Sequence, residues 1–224
     1  MVKEGYLEVG TEDEPFEGEL TITMHGKEFG TTLPTFGNKV LAVKGGQLEM
    51  HGRPRSIAWT DLEVTAEKGS SRITVRKPEG KLFDWAVGDE IVIASTDFEA
   101  SHAEKRTIEN VLYAHTEFPE LELDQALEHT HFAGVEEFGN DRIEMRAEVG
   151  LLTRSIKFRG DTEYSELHQY GAHIMLAPTE GNVVGRIENV ELSNVGQASK
   201  LGRYPIHFHM AGNVRGSYIR NNVI

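Results

Sequence analysis

No cysteine occurs in this chain of 224 residues. Disulfides and thiolate metal sites are therefore excluded outright, and the fold must be held by packing and hydrogen bonds. Long apolar runs are also missing, so no segment has the length of a membrane-spanning helix. Positive charge is scarce: 23 Lys and Arg stand against 36 Asp and Glu, a formal net charge of −13. A surface of that sign does not track a phosphate backbone, which excludes nucleic acid as a partner. Helical periodicity is absent as well, and no long helix is expected anywhere.

What the sequence does contain is short alternating runs bracketed by glycine. Val40-Leu41-Ala42-Val43 and Gln47-Leu48-Glu49-Met50-His51 are separated by Gly45-Gly46 and closed by Gly52. Period-two alternation reads as strand, and the glycine pair allows positive φ where the chain turns. The phrase is used twice, because Gly5-Tyr6-Leu7-Glu8-Val9 matches Gly46-Gln47-Leu48-Glu49-Met50 almost position for position. A reused strand of four or five residues is the signature of a coiled, stacked-strand architecture. Further strands are expected at Glu19–His25, Arg72–Val75, Glu90–Ala94, Thr107–Tyr113 and Leu121–Leu123, with one or two helical turns over 60–66.

From Glu148 onward strand-sized runs recur with asparagine at their ends: Asn189, Asn194, Asn221 and Asn222. Asparagine tolerates left-handed backbone and stacks at the corners of parallel β-helices. The echo of Ile187-Glu188-Asn189 in Ile219-Arg220-Asn221 points to coil upon coil. These features predict a boundary near residue 140, with a β domain over 1–140 and the start of a parallel β-helix over 141–224. Val149, Leu151, Ile156, Phe158, Ile174, Ile187, Val190, Ile206 and Phe208 are candidate core positions of the helix. The abrupt opening at Met1 and the close at Ile224 inside a strand pattern suggest a piece of something longer.

Residues 5–110 resemble the G-eight domain, a glycine-rich module found in fibrocystin, fibrocystin-like proteins and cell-surface hyaluronidases. The phrases that carry the resemblance are Gly10-Thr11-Glu12-Asp13-Glu14-Pro15-Phe16, Leu48-Glu49-Met50-His51-Gly52, Trp59-Thr60 and the run Val87 to Phe98. Downstream, Met145 to Arg154 and Gly202-Arg203-Tyr204-Pro205-Ile206-His207-Phe208-His209 are similar to the joint into a right-handed parallel β-helix. The resemblance thus implies an all-β fold at the cell surface or outside the cell. In the hyaluronidase branch the residues held to carry activity lie in a domain inserted in this module. Here Gly69-Ser70 stands at that place without an insertion, so no catalytic residue can be assigned. The short, cysteine-free stretch 160–171 suggests a fibrocystin-like member from outside the animals.

The sharpest chemical cluster is Arg203, His207 and His209. Two histidines two apart on a strand share a face, and His173 on an earlier strand can stack beside them. Such a set suits a polar ligand or a three-histidine metal site, against the plainer alternative of hydrogen-bonded packing. Packing is the expected outcome for the metal question, and neither metal nor cofactor is expected. Arg203, His207, His209 and His173 remain the candidate ligand-binding residues. His129 and His131 repeat the same-face geometry but are expected to be solvated, as is the acidic run Glu12-Asp13-Glu14. Asp97, Glu99 and His102 form a possible acid/base set at a strand exit. Function is expected to be structural, adhesive or glycan-binding within a larger surface protein, with protein or glycan as partner. The alternative is a glycan-active enzyme with its site on the β-helix face.

Overall fold

The computed structural model describes residues 1–179 and 182–224. They form two compact units, residues 1–54 with 154–224 and residues 55–153. The first unit is a parallel β-helix with three walls. One wall stacks Val2–Lys3, Val40–Lys44, His173–Ala177 and Ile206–Phe208 in parallel. The next stacks Tyr6–Val9, Gln47–His51, Val184–Glu188 and Tyr218–Arg220, and the third Leu20–Met24, Ile156–Gly160 and Val190–Ser193. The repeated phrase is a stacking register: Tyr6, Leu7, Glu8 and Val9 pair with Gln47, Leu48, Glu49 and Met50. The later echo is another, with Ile187 on Ile219 and Glu188 on Arg220.

Alternation within each strand sends one set of side chains inward. Leu48, Met50, Ile156, Phe158, Ile174, Leu176, Ile187 and Val190 are fully enclosed there. Each such apolar side chain contributes about 1.5–3 kcal/mol over leaving it in water. Ile206 and Phe208 pack on this core from a half-buried position. Corners are made by residues that accept left-handed backbone: Gly45 (φ 56°), Asn189 (φ 54°) and Asn221 (φ 55°). At the first corner Gly46 passes so close to Gly5 that a Cβ would lie 2.4 Å from the Gly5 carbonyl oxygen. Only a glycine fits that approach.

The second unit is antiparallel. Its sheet runs Trp59–Asp61, Glu148–Leu151, Glu90–Ile93, Glu104–Leu112, Glu120–Leu123 and Arg72–Thr74. A bridge between Leu62 and Val75 joins the first strand to the last, closing the sheet on itself around Leu62, Ile73, Ile91, Ile93, Ile108 and Leu121. A separate hairpin pairs Ala133–Phe138 with Asp141–Arg146.

Three sequence expectations change here. The boundary near residue 140 falls in the turn of that hairpin, inside the second unit, because the helix begins at residue 2 and is interrupted rather than preceded. Val149 and Leu151 are enclosed, but in the antiparallel sheet beside Ile91 and Ile93; the β-helix resumes only at Ile156. Residues 59–61 are strand, not helix, paired to Glu148–Gly150, and Leu62 and Ala66 form isolated bridges with no helical turn between them. The one α-helix among the described residues, Thr162–His168, lies in the short stretch 160–171.

Candidate functional site

His173 opens its strand in the first wall, level with Val40 below, and His207 lies over Met175 in the coil above. The outward side of this wall is covered by the loop 29–38, whose Phe36 packs with Val40, Ala42 and Met175. His173 is wholly buried beneath it. Its Nε2–H donates to the Phe36 carbonyl at 2.9 Å, and its Nδ1 faces the Gln197 amide nitrogen at 3.4 Å. Burial is the main cause that pushes this imidazole down to about 4, with Arg203 and His207 adding to it. A carbonyl only accepts, so the ring carries its proton on Nε2 and is neutral. Both nitrogens of His173 are thereby engaged.

His207 is half-buried and donates Nδ1–H to the Gly202 carbonyl at 2.7 Å. The His209 ring stands edge-on to it at 5.2 Å, and Tyr204 lies 5.3 Å away on another side. The structure thus brings His207, His209 and Tyr204 together and keeps His173 apart by its own hydrogen bonds. Among the described residues no group of three or more His, Asp or Glu side chains converges as metal ligands would.

Arg203 occupies a different place. It lines an open groove of about 470 Å³ with Tyr204, Pro205, Asn194, Gln197, Gln169 and Glu166. Its guanidinium lies against the backbone of Gly37, where a Cβ would come within 2.8 Å of Nε. Neighbouring Lys200 is paired to Glu28 at 2.9 Å, whereas the ion pairs among the described residues include none to Arg203.

Several other polar clusters were less visible in the sequence. Lys39 is buried in the same unit, with Nζ donating to Asp161 Oδ2 (2.6 Å), Ser165 Oγ (2.8 Å) and the Tyr170 carbonyl (3.0 Å). Asp161 also caps the helix by accepting from the Tyr164 amide at 2.9 Å, and the Lys39 contact holds its carboxyl below the usual range. On the second wall the buried Glu49 accepts from Arg186 and lies 2.7 Å from the His51 Nε2. Glu12 is not merely solvated; it receives Arg220 and Tyr218. No local pattern announces Lys39, but opposite charges at matched positions of the coils, such as Glu49 and Arg186, are a readable signal once the register is known.

In the second unit His131 is buried rather than solvated. Its nitrogens face the Ala94 carbonyl (2.8 Å) and Glu104 Oε1 (2.9 Å). Of the Asp97, Glu99 and His102 set, Asp97 and His102 are joined at 2.7 Å, and Glu99 contributes its backbone amide to Asp97. The hydrogen bond from His102 is the main cause holding the Asp97 carboxyl down at about 2.

Comparison with known proteins agrees with this architecture. The chain carries a G8-domain match at its start, over residues 1–63, and a CEMIP beta-helix match at its end, over residues 169–224. Mouse fibrocystin-L is 36% identical over 258 residues, covering 98% of this chain and 6% of that protein, and human fibrocystin-L matches equally. A G8 domain-containing protein of Dictyostelium discoideum is 29% identical over 96% of this chain and 14% of its own length. The human cell surface hyaluronidase CEMIP2 is 33% identical over 60% of this chain and 10% of its own length. The similarity is thus to the fibrocystin-like branch along the whole chain and to the hyaluronidase along part of it. The chain spans only a small fraction of each of these relatives.

Proposed function

We propose that this chain is a non-catalytic module of a larger cell-surface or extracellular protein, and that it binds glycan in the groove beside Arg203. The printed name of the cell surface hyaluronidase relative supports a surface role. The observation that carries the binding reading is Arg203 itself, uncommitted to a carboxylate and adjacent to the half-exposed ring of Tyr204 in an open groove lined by amides. A planar donor fork, an aromatic face and side-chain amides are the groups that hold sugar hydroxyls and ring faces. His207 and His209 border this region and complete the ligand surface.

The non-catalytic reading is supported by the same contacts. His173 has both nitrogens engaged and His207 has one, and neither is hydrogen-bonded to a carboxylate. An acid/base pair of the kind glycoside hydrolysis needs is therefore lacking at these residues. Titration of ¹⁵N-labelled protein with a panel of neutral and carboxylated oligosaccharides tests the binding. Shifts are expected at 194–209, and Arg203→Ala is expected to weaken binding about tenfold, the loss of a charge-assisted contact. Shifts elsewhere only, or an unchanged affinity in Arg203→Ala, would refute it. Size analysis of high-molecular-weight hyaluronan with added Ca²⁺ tests the second half; depolymerisation above a heat-inactivated control would show an enzyme.

A further inference from the structure

Two loops of the second unit meet through a pair of imidazoles. The His102 and His129 rings lie face to face, centroids 3.7 Å apart and planes inclined by 14°. His102 ends the short 3₁₀ segment Ala100–His102, and its Nδ1–H is bound by Asp97. Asp97 also accepts from Ser95 Oγ at 3.1 Å and the Glu99 amide at 2.8 Å, so the segment 95–102 is folded around this one carboxylate. Phe98 at its tip is fully exposed.

The opposing segment is anchored independently. Glu104 accepts the amides of Glu128 (2.8 Å) and His129 (2.9 Å), pairs with Arg106, and binds His131. Burial works against the Glu104 charge, but these donors outweigh it and hold the carboxyl below its usual range. Phe132 donates its amide to Thr96 Oγ1 at 2.9 Å. Asp97, Glu104, Arg106 and His131 are charged or titratable groups bonded into the two segments, Glu67 accepts from Thr130 Oγ1 at 3.2 Å, and Glu99 and Glu128 stand next to them in the chain.

Parallel rings cannot share a metal ion, because their lone pairs lie in two separate planes and do not converge. What a face-to-face pair can do is respond to protons. Two neutral rings, or one neutral and one charged, stack favourably, the latter by attraction of a cation to a π face. Two charged rings at this separation repel. Histidine is the side chain whose charge changes in mildly acidic solution.

We propose that the His102–His129 stack is a pH-sensitive latch, which holds segment 95–102 against 128–132 when at most one ring is charged and releases it when both are. The acidic neighbours Asp97 and Glu104, both held below their usual range, keep their own charge throughout, and the part played by His131 is separated from that of the two rings by variants that retain it. Release frees the loop carrying Phe98 and alters the surface that this unit presents in acidic surroundings.

Amide hydrogen exchange of the full chain, corrected for intrinsic rates, tests this at pH about 7.5 and about 5. Exchange across 96–103 is expected to rise about fivefold or more on acidification in the wild type. In His129→Phe, which keeps the stacking surface with one ionisable ring, that rise is expected to vanish. His129→Leu serves if the phenylalanine variant does not fold. Because Asp97, Glu104 and His131 remain in both variants, an acid response of equal size there would overturn the latch. Unchanged exchange in the wild type would overturn it too.

Discussion

Replacing Lys39 with methionine removes one charge and leaves nearly everything else in place. Methionine keeps the aliphatic stem and the Cβ, so the left-handed backbone at this position (φ 54°) is strained no differently. What disappears is the ammonium that ties the helix Thr162–His168 to the first wall through Asp161, Ser165 and the Tyr170 carbonyl. The lysine side chain is wholly enclosed, and that of Asp161 is 18% exposed. Breaking a buried pair by removing one partner costs about 3–5 kcal/mol, because the other is left uncompensated. Asp161 keeps some access to water, which places the cost at the low end, about 3 kcal/mol. For a chain of this size that is a Tm lower by about 6–12 °C. The pH dependence carries a second signature. Lys39 lowers the Asp161 pKa in the folded state below its ordinary value of 3.8. A depressed carboxylate adds stability that is present above the unfolded value and is lost as pH falls through the folded one. Lys39→Met is therefore expected to flatten the wild type's loss of stability below pH about 4. Urea unfolding followed by circular dichroism across that range measures both effects. A loss under about 1 kcal/mol at neutral pH would refute the reasoning, because it would mean the ammonium is merely tolerated.

Two further outcomes follow from the same unit. Asn189→Ala is expected to cost about 1 kcal/mol and Asn189→Gly much less, because the corner needs positive φ, which glycine adopts freely; equal losses in thermal unfolding would contradict this. For His173, burial depresses the folded pKa to about 4 from the ordinary 6.5 of an imidazole. Its neutral form adds stability that is full above about 6.5 and is lost as pH falls towards the folded value. His173→Gln should therefore show a shallower decline of stability across that window, and an unchanged slope by urea titration would count against a neutral, buried ring.

The pattern of residues made the coils readable wherever a phrase was used twice. Tyr6–Val9 over Gln47–Met50, and Ile187-Glu188 over Ile219-Arg220, are contacts as well as repeats. Asn189, Asn194 and Asn221 do take the left-handed backbone of corners. The order of wrapping was hidden, because Gln47 meets Val184 across a separation that no local signal spans. The interruption was hidden for another reason. Short strands alternate with period two whether they pair parallel or antiparallel, so Val149 and Leu151 looked like β-helix core while sitting beside Ile91 and Ile93. At the candidate site, Arg203 and His207 were legible as an Arg–His phrase. The engagement of His173 by Phe36 and Gln197 depends on a loop folding over the wall, which its strand alone does not reveal.

The place where the second unit leaves and rejoins the β-helix has a consequence for protein engineering. The Arg53 amide donates to Ser155 Oγ at 2.9 Å, and the Leu20 amide reaches the Ser155 carbonyl at 2.9 Å. The two cut ends of the coil are therefore held side by side by the coil's own hydrogen bonds, whatever the length of chain between them. Loop closure grows only with the logarithm of length, so exchanging the interruption for a short turn, or for a foreign domain with adjacent termini, changes that term by little. The second coil is in this sense a socket, and residues 55–153 are the insert it holds in this chain.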